Sequence, residues 1–272
     1  MTLPPITGPT NTGPTNTDPT NTDPINRGPA NLGPNNLGPA FTCLIPAYNE
    51  APRIASMLQA VRQHPLLTEV IVIDDGSTDA TARIAEDFGF RVIRTTGNFG
   101  KTRALVLGFR QVRTSHVLLL DADLIGLTTA NVSDLIAPVA AGSATASLSL
   151  RGNAPRTWRL IGIDYISGER VLPMSLLADR LDALNELPRF GFEVYLNRLL
   201  LQADHRIAVV DLPNVVSPSK ASKRGLVKGL LADGAMLRDI FRTIAPVEAL
   251  QQIRDLRRRR IIATLVAKSD AA

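Results

Sequence analysis

The stretch LLLDADLIG, Leu118 to Gly126, drives an apolar run straight into two aspartates one residue apart. Carboxylates closing a buried strand are costly unless a metal ion or a cationic partner compensates them, and a solvated strand end is the plainer alternative. Working outward, "SHVLLL" reads as the fourth strand of a series. "FTCLIP" from Phe41 is the first, "EVIVID" from Glu69 the second and "FRVIRT" from Phe90 the third, separated by helical patterns at Ala51 to Arg62, in "DATARIAEDFG" and from about Lys101 to Val112. Ser77 or Thr78 is the expected cap of the second helix and Gly89 its stop. Strands that are continuously apolar belong to a parallel sheet covered on both faces. The expected fold class is therefore α/β, a doubly wound, mostly parallel sheet. Beyond Leu148 the pattern predicts helices near Ser175 to Asn185 and Phe190 to Ala203, a strand "RIAVVDL", and two C-terminal helices from about Lys223 and Pro246. No linker separates the halves, which implies one domain.

At 272 residues and 44% hydrophobic, the chain can bury a sizeable core. No apolar run reaches the roughly 18 to 20 residues of a membrane span, and the N-terminus lacks a basic region followed by an apolar one, so a cytoplasmic protein is expected. The single cysteine, Cys43, lies in an apolar strand and reads as core. Residues 217–272 hold 12 Lys and Arg against 5 Asp and Glu, while residues 1–216 hold 18 against 20, so the net charge of +5 is entirely C-terminal. With aromatics at 4% and no docking motif, nucleic acid is not an expected partner. Residues 8 to 40 repeat as GPTNT GPTNT DPTNT DPINR GPANL GPNNL GPA, with proline at every fifth position. That period forbids helix and offers little to bury, and residues 1–39 are expected to be disordered.

In an open parallel sheet, ligands bind beyond the carboxyl ends of the strands. Strand one ends in "PAYNE" (Pro46 to Glu50), strand two in "DDGSTD" (Asp74 to Asp79), strand three leads to "GNFGKT" (Gly97 to Thr102) and strand four ends in "DAD" (Asp121 to Asp123). Each alone could be a turn or a cap. Neither a phosphate-loop spacing nor G-x-G-x-x-G after strand one is present. Together, Asp121 and Asp123 offer hard oxygen ligands suited to Mg²⁺ or Mn²⁺, an ion that completes its shell with substrate phosphates. Lys101 can face the same diphosphate, and the combination points to a nucleoside diphosphate site.

At these residues the sequence resembles the family 2 glycosyltransferases of GT-A fold, over about residues 40 to 225. "IPAYNE", "IDDGSTD", "GNFGKTRAL" and "LLLDADL" occur in the family's order, and "SGERVLP" (Ser167 to Pro173) and "RFGFEVYLN" (Arg189 to Asn197) resemble the branch of dolichyl-phosphate mannose synthases and glucosyl-phosphoglycerate synthases. The resemblance implies a catalytic domain over residues 40–224, and the apolar spacing and arginines that follow predict basic amphipathic helices over 225–272. It implies that Pro46, Tyr48, Glu50 and Asp75 line the nucleoside pocket, with Asp75 accepting from base or ribose, and that Lys101 lies near the diphosphate. Asp121 and Asp123 would hold Mg²⁺ or Mn²⁺ as the D-x-D pair, and Glu193 would be the acceptor-side carboxylate. The implied reaction is a single inverting displacement from a UDP- or GDP-linked sugar to a hydroxyl or phosphate, with a polyprenyl phosphate or other lipid as one acceptor class.

Two departures qualify the resemblance. Relatives often place a histidine after the "RIAVVDL" strand, where it completes the metal site, and Ser217 stands there in this chain. Lipid-phosphate sugar transferases often carry transmembrane helices, whereas this chain ends in Leu226, Leu230, Leu231, Leu237, Ile240, Phe241 and Ile244 at helical spacing followed by "RDLRRRR" (Arg254 to Arg260). Such an end suits peripheral contact with an anionic membrane, or a helix packed on the core with a solvated arginine face. His64, His116 and His205 are expected to be structural or solvated. The rivals are a degenerate domain that binds nucleotide sugar or a partner, and a sugar-phosphate nucleotidyltransferase, whose glycine-rich loop "PAYNEAPR" lacks.

Overall fold

The computed structural model describes residues 39–187, 191–202, 205–218 and 244–262. Its first strand, β1 (Phe41–Ala47), is buried almost throughout, with Leu44 facing one core and Cys43 and Ile45 facing another. This is why the run is apolar without alternation, each fully buried Leu or Ile contributing roughly 1.5–3 kcal/mol. Helix α1 (Ala51–Val61) returns the chain to β2 (Leu67–Asp74), α2 (Thr81–Asp87) leads to β3 (Arg91–Arg94), and α3 (Lys101–Phe109) to β4 (His116–Leu119). β1 pairs in parallel with β2 and with β4, and β2 with β3, so the strand order changes direction beside β1. A crevice opens at such a point, outside the carboxyl ends.

The second half is mixed. Helix α4 (Thr129–Ala140), opened by a capping box between Thr128 and Asn131, precedes β5 (Ala146–Arg151), α5 (Arg156–Ile161) and β6 (Arg170–Pro173). Then come α6 (Leu181–Asn185), α7 (Gly191–Gln202), β7 (Ile207–Leu212), α8 (Pro246–Arg259) and β8 (Arg260–Ile262). The sheet runs β3-β2-β1-β4-β6-β5-β7-β8. β6 lies antiparallel to both β4 and β5, while β5, β7 and β8 pair in parallel.

Two local expectations change. Ala80, not Ser77 or Thr78, precedes α2, because the Ser77 hydroxyl accepts from the Asn49 amide and Thr78 binds the Asn49 side chain. The expected helix over Ser175 to Asn185 is two 3₁₀ turns, Met174–Leu176 and Ala178–Arg180, followed by α6. At the C-terminal end α8 begins at Pro246 as the pattern predicts, with Ala249, Gln252 and Leu256 buried, and β8 extends the sheet beside β7. The repeats, the helix expected from Lys223 and the apolar positions from Leu226 to Phe241 lie outside the described residues. Cys43 is fully buried, which pushes its thiol pKa up, and His64 is buried against Ser133 and the Thr129 carbonyl.

Candidate donor site

The site begins with two loops laced together. Asn49 takes a left-handed backbone (φ 54°), a conformation that asparagine tolerates, and from there its amide donates to Ser77 Oγ at 2.9 Å. Thr78 N donates to Asn49 Oδ1 at 2.9 Å, Glu50 N to Thr81 Oγ1 at 2.8 Å and Ala51 N to Asp79 Oδ2 at 3.1 Å. "PAYNE" and "DDGSTD" thus form one wall. Tyr48 is 42% exposed on it, and the Glu50 carboxylate holds Arg53 at 2.8 Å.

Asp75 pins the third loop. Its carboxylate accepts from Phe99 N at 3.0 Å and Gly100 N at 2.7 Å, and it is nearly buried. Gly76, at φ +74°, lies so close to Gly97 that an added Cβ would stand 2.5 Å from the Gly97 carbonyl carbon. Gly100, at φ +93°, turns the chain into α3, so that Lys101 is the first helical residue. Asp75 was expected to accept from base or ribose; here both of its oxygens already carry backbone donors.

The resulting cleft, about 250 Å³, has Pro46, Tyr48, Glu50, Asp75, Lys101, Asp121 and Asp123 in its lining, together with Asn98 and Gly100. Lys101 Nζ bridges Asp121 Oδ1 at 2.7 Å and Glu193 Oε1 at 3.3 Å, so the first turn of α7 is tied to the end of β4. Burial raises the Asp121 carboxyl, but the adjacent ammonium prevails and holds it below its usual value. For Lys101, burial acts to lower the pKa and the carboxylates of Asp121 and Glu193 outweigh it, so that it is raised. Asp123 is pushed up to about 6, by burial first and then by the charges of Asp121 and Glu50. Ser217 Oγ donates to both of its oxygens at 3.2 Å, so the serine at the expected histidine position does reach the second aspartate.

Among the described residues there is no cluster of three His, Cys, Asp or Glu side chains able to hold a metal. What the site offers is two carboxylates, one of them paired with Lys101, plus the Ser217 hydroxyl. This donor set fits Mg²⁺ or Mn²⁺ as a half-site whose shell is closed by water and substrate phosphates.

Sequence reasoning missed Gly168. The antiparallel β6 brings its preceding residues to the edge where β4 ends, and an added Cβ at Gly168 would lie 2.6 Å from Asp121 Oδ2. The signal was the glycine in "SGER", next to two residues that are fully buried. Glu169 Oε2 accepts from Ser149 Oγ at 2.6 Å and Ser167 Oγ at 3.1 Å, and Arg170 donates to Ser167 O, Asn197 Oδ1 and Tyr165 O. This polar layer supports the D-x-D from below.

The family model described as glycosyl transferase family 2 matches residues 42–186. A 4,4'-diaponeurosporenoate glycosyltransferase of Staphylococcus aureus (strain USA300) is 36% identical over 102 residues, which is 36% of this chain and 27% of that protein. The chain thus spans about a quarter of the length of the curated relatives it matches. Among solved structures, glucosyl-3-phosphoglycerate synthase from Mycobacterium tuberculosis with phosphoglyceric acid superposes with a TM-score of 0.59 at 24% identity, covering 80% of this chain and 81% of that one. The same enzyme with Mn²⁺, uridine-diphosphate-glucose and phosphoglyceric acid gives 0.59 at 24% identity, with 80% of each chain covered. At this identity the likeness establishes the GT-A fold.

Proposed function

The chain belongs to glycosyl transferase family 2, and we propose that it transfers a sugar, with inversion, from a nucleotide-sugar donor to an acceptor oxygen. The observation that carries this reading is the meeting of Lys101, Asp121 and Asp123 in one cleft walled by the Tyr48 and Asp75 loops. Tyr48 and the Pro46 segment receive the nucleoside, while Lys101 lies within reach of the diphosphate. Asp121 and Asp123 hold Mg²⁺ or Mn²⁺, which neutralises charge on the departing nucleoside diphosphate when bound. The acceptor oxygen attacks the anomeric carbon as the bond to the diphosphate breaks, and Glu193 takes the proton from a hydroxyl acceptor. A phosphate acceptor brings no such proton, and Glu193 then orients it. A uridine donor is supported by the complex named above.

A lipid-linked acceptor is supported by the relative named for 4,4'-diaponeurosporenoate. Exposed Val247 and Leu250 on α8, with the arginines at its end, form a surface suited to an anionic membrane at the cytoplasmic face. No helix among the described residues is long and apolar enough to cross a membrane.

The test is a thermal-shift series of UDP-glucose, UDP-galactose, UDP-GlcNAc and GDP-mannose, each with and without Mn²⁺. A ligand that binds only the folded state raises Tm. One donor should stabilise in a metal-dependent way, and Asp123→Ala should abolish that shift while leaving the ligand-free melt cooperative. Absence of any shift would favour binding of another partner by a degenerate site.

A further inference from the structure

Both aspartates of the proposed metal site are engaged before any ligand arrives. Asp121 has Gly168 against its carboxylate and the Lys101 ammonium 2.7 Å from Oδ1, and Asp123 carries the Ser217 hydroxyl. An ion held at about 2.1 Å from a carboxylate oxygen competes for the same approach to Asp121 Oδ1 that the ammonium occupies. The backbone of Lys101 cannot yield, because Asp75 fixes the Gly100 amide and α3 starts at the next residue. Its side chain can, being 38% exposed on a flexible four-carbon stem. The same Nζ also holds Glu193 Oε1, in the first turn of α7, at 3.3 Å.

Resting on the donor-site reading above, we propose that Lys101 is a built-in counter-ion that closes Asp121 to divalent metal until a donor diphosphate draws the ammonium away, so that metal and nucleotide bind together and Glu193 is freed for the acceptor in the same movement. Metal alone has to displace a cation that then keeps only the Glu193 carboxylate as partner. Metal with diphosphate gives the ammonium a new anionic partner, and the two ligands become coupled through one side chain. Donor binding therefore precedes the arming of the acceptor side.

The experiment is a Mn²⁺ titration followed by the electron paramagnetic resonance signal of the free ion, without nucleotide and with UDP. It uses the wild-type chain, Lys101→Met, Lys101→Gln, Glu193→Gln, Arg103→Gln and Asp123→Ala, each checked for folding by circular dichroism. Lys101→Met and Lys101→Gln should bind Mn²⁺ alone about tenfold more tightly than wild type and lose most of the UDP–Mn²⁺ coupling, a typical size for such a linkage. Glu193→Gln, which loosens one anchor of the ammonium, should fall between. Arg103→Gln removes a nearby cation of α3 without removing the contact and should change nothing; an equal rise there would reduce the effect to net charge and overturn the proposal. Unchanged or weaker Mn²⁺ binding in both Lys101 variants, with binding still lost in Asp123→Ala, would overturn the proposal and leave the donor site standing. No Mn²⁺ binding by any variant, even with UDP, would overturn both.

Discussion

Along β2 the run Val70 to Ile73 is apolar and the acids Asp74 and Asp75 come only at the strand end, whereas β5 and β6 bury Ser147, Ser149 and Arg170 inside the sheet, with Glu169 just ahead of β6. Both halves end at the same edge, but they treat polarity in opposite ways. Asp74 and Asp75 are buried too, but at the strand end the loop amides of Ser77, Phe99 and Gly100 reach them. Inside the sheet a polar group must be satisfied by its neighbours or it costs about 1–3 kcal/mol. Arg151 Nε, Asp164 Oδ1 and Glu169 Oε1 are buried with no hydrogen-bond partner, so the second half carries that cost. The contrast separates recognition at the open edge from a rigid polar floor beneath it.

Three substitutions sharpen or break the contrast. The largest effect is expected for Arg170→Ala, which strands Asn197 Oδ1 and two carbonyls around a fully buried site. Removing one member of such a network should cost about 3–5 kcal/mol in urea unfolding, and a loss comparable to a surface substitution would show that the floor is not rigid. Next is Asp75→Ala, which releases the Phe99 and Gly100 amides. Hydrogen bonds to a charged acceptor contribute about 1.5–3 kcal/mol, so stability should fall by roughly that amount and donor affinity with it. Donor affinity equal to wild type would mean that the loop holds its shape without the clamp.

The smallest effect has the opposite sign. Asp123, with a folded pKa of about 6 against an ordinary 3.8, binds a proton more readily folded than unfolded. Metal-free stability should therefore decline as pH rises between these values, with the full penalty present above about pH 6 and none below about pH 4. Solvent reaching this half-buried carboxylate screens the penalty to roughly 1 kcal/mol, so Asp123→Asn should raise Tm at pH 7.5 by about 2–4 °C in a domain of this size. Melts across this pH range check it, and a Tm advantage that persisted at pH 4 would sink the assignment.

The legibility of the sequence follows the same division. Strands β1 to β4 could be placed because their apolar runs stop at turn-forming or acidic residues, and the four clusters line one cleft because parallel strands put all their carboxyl ends on one edge. β6 escaped because "RVLP" is too short to show a period, whereas "ASLSLR" of β5 does carry the alternation of a strand and was passed over. Gly168 could not be assigned to the site because only the antiparallel pairing of β6 with β4 brings it to Asp121. The clamp made by Asp75 was not foreseen for a related reason: a carboxylate at a strand end reads alike whether it faces a ligand, a neighbouring loop or both.

The reversal of β6 also has a consequence for how such an enzyme diversifies by descent. Because β5 points toward the edge where β4 ends and β6 points away from it, the excursion between Arg151 and Arg170 leaves and rejoins the sheet on that same edge. Change there is confined to exposed positions of α5 such as Arg156, Thr157 and Leu160, because Asp164 to Glu169 belong to the polar floor beneath Asp121. A lineage can in this way vary one exposed turn of helix while inheriting the floor beneath Asp121 unchanged.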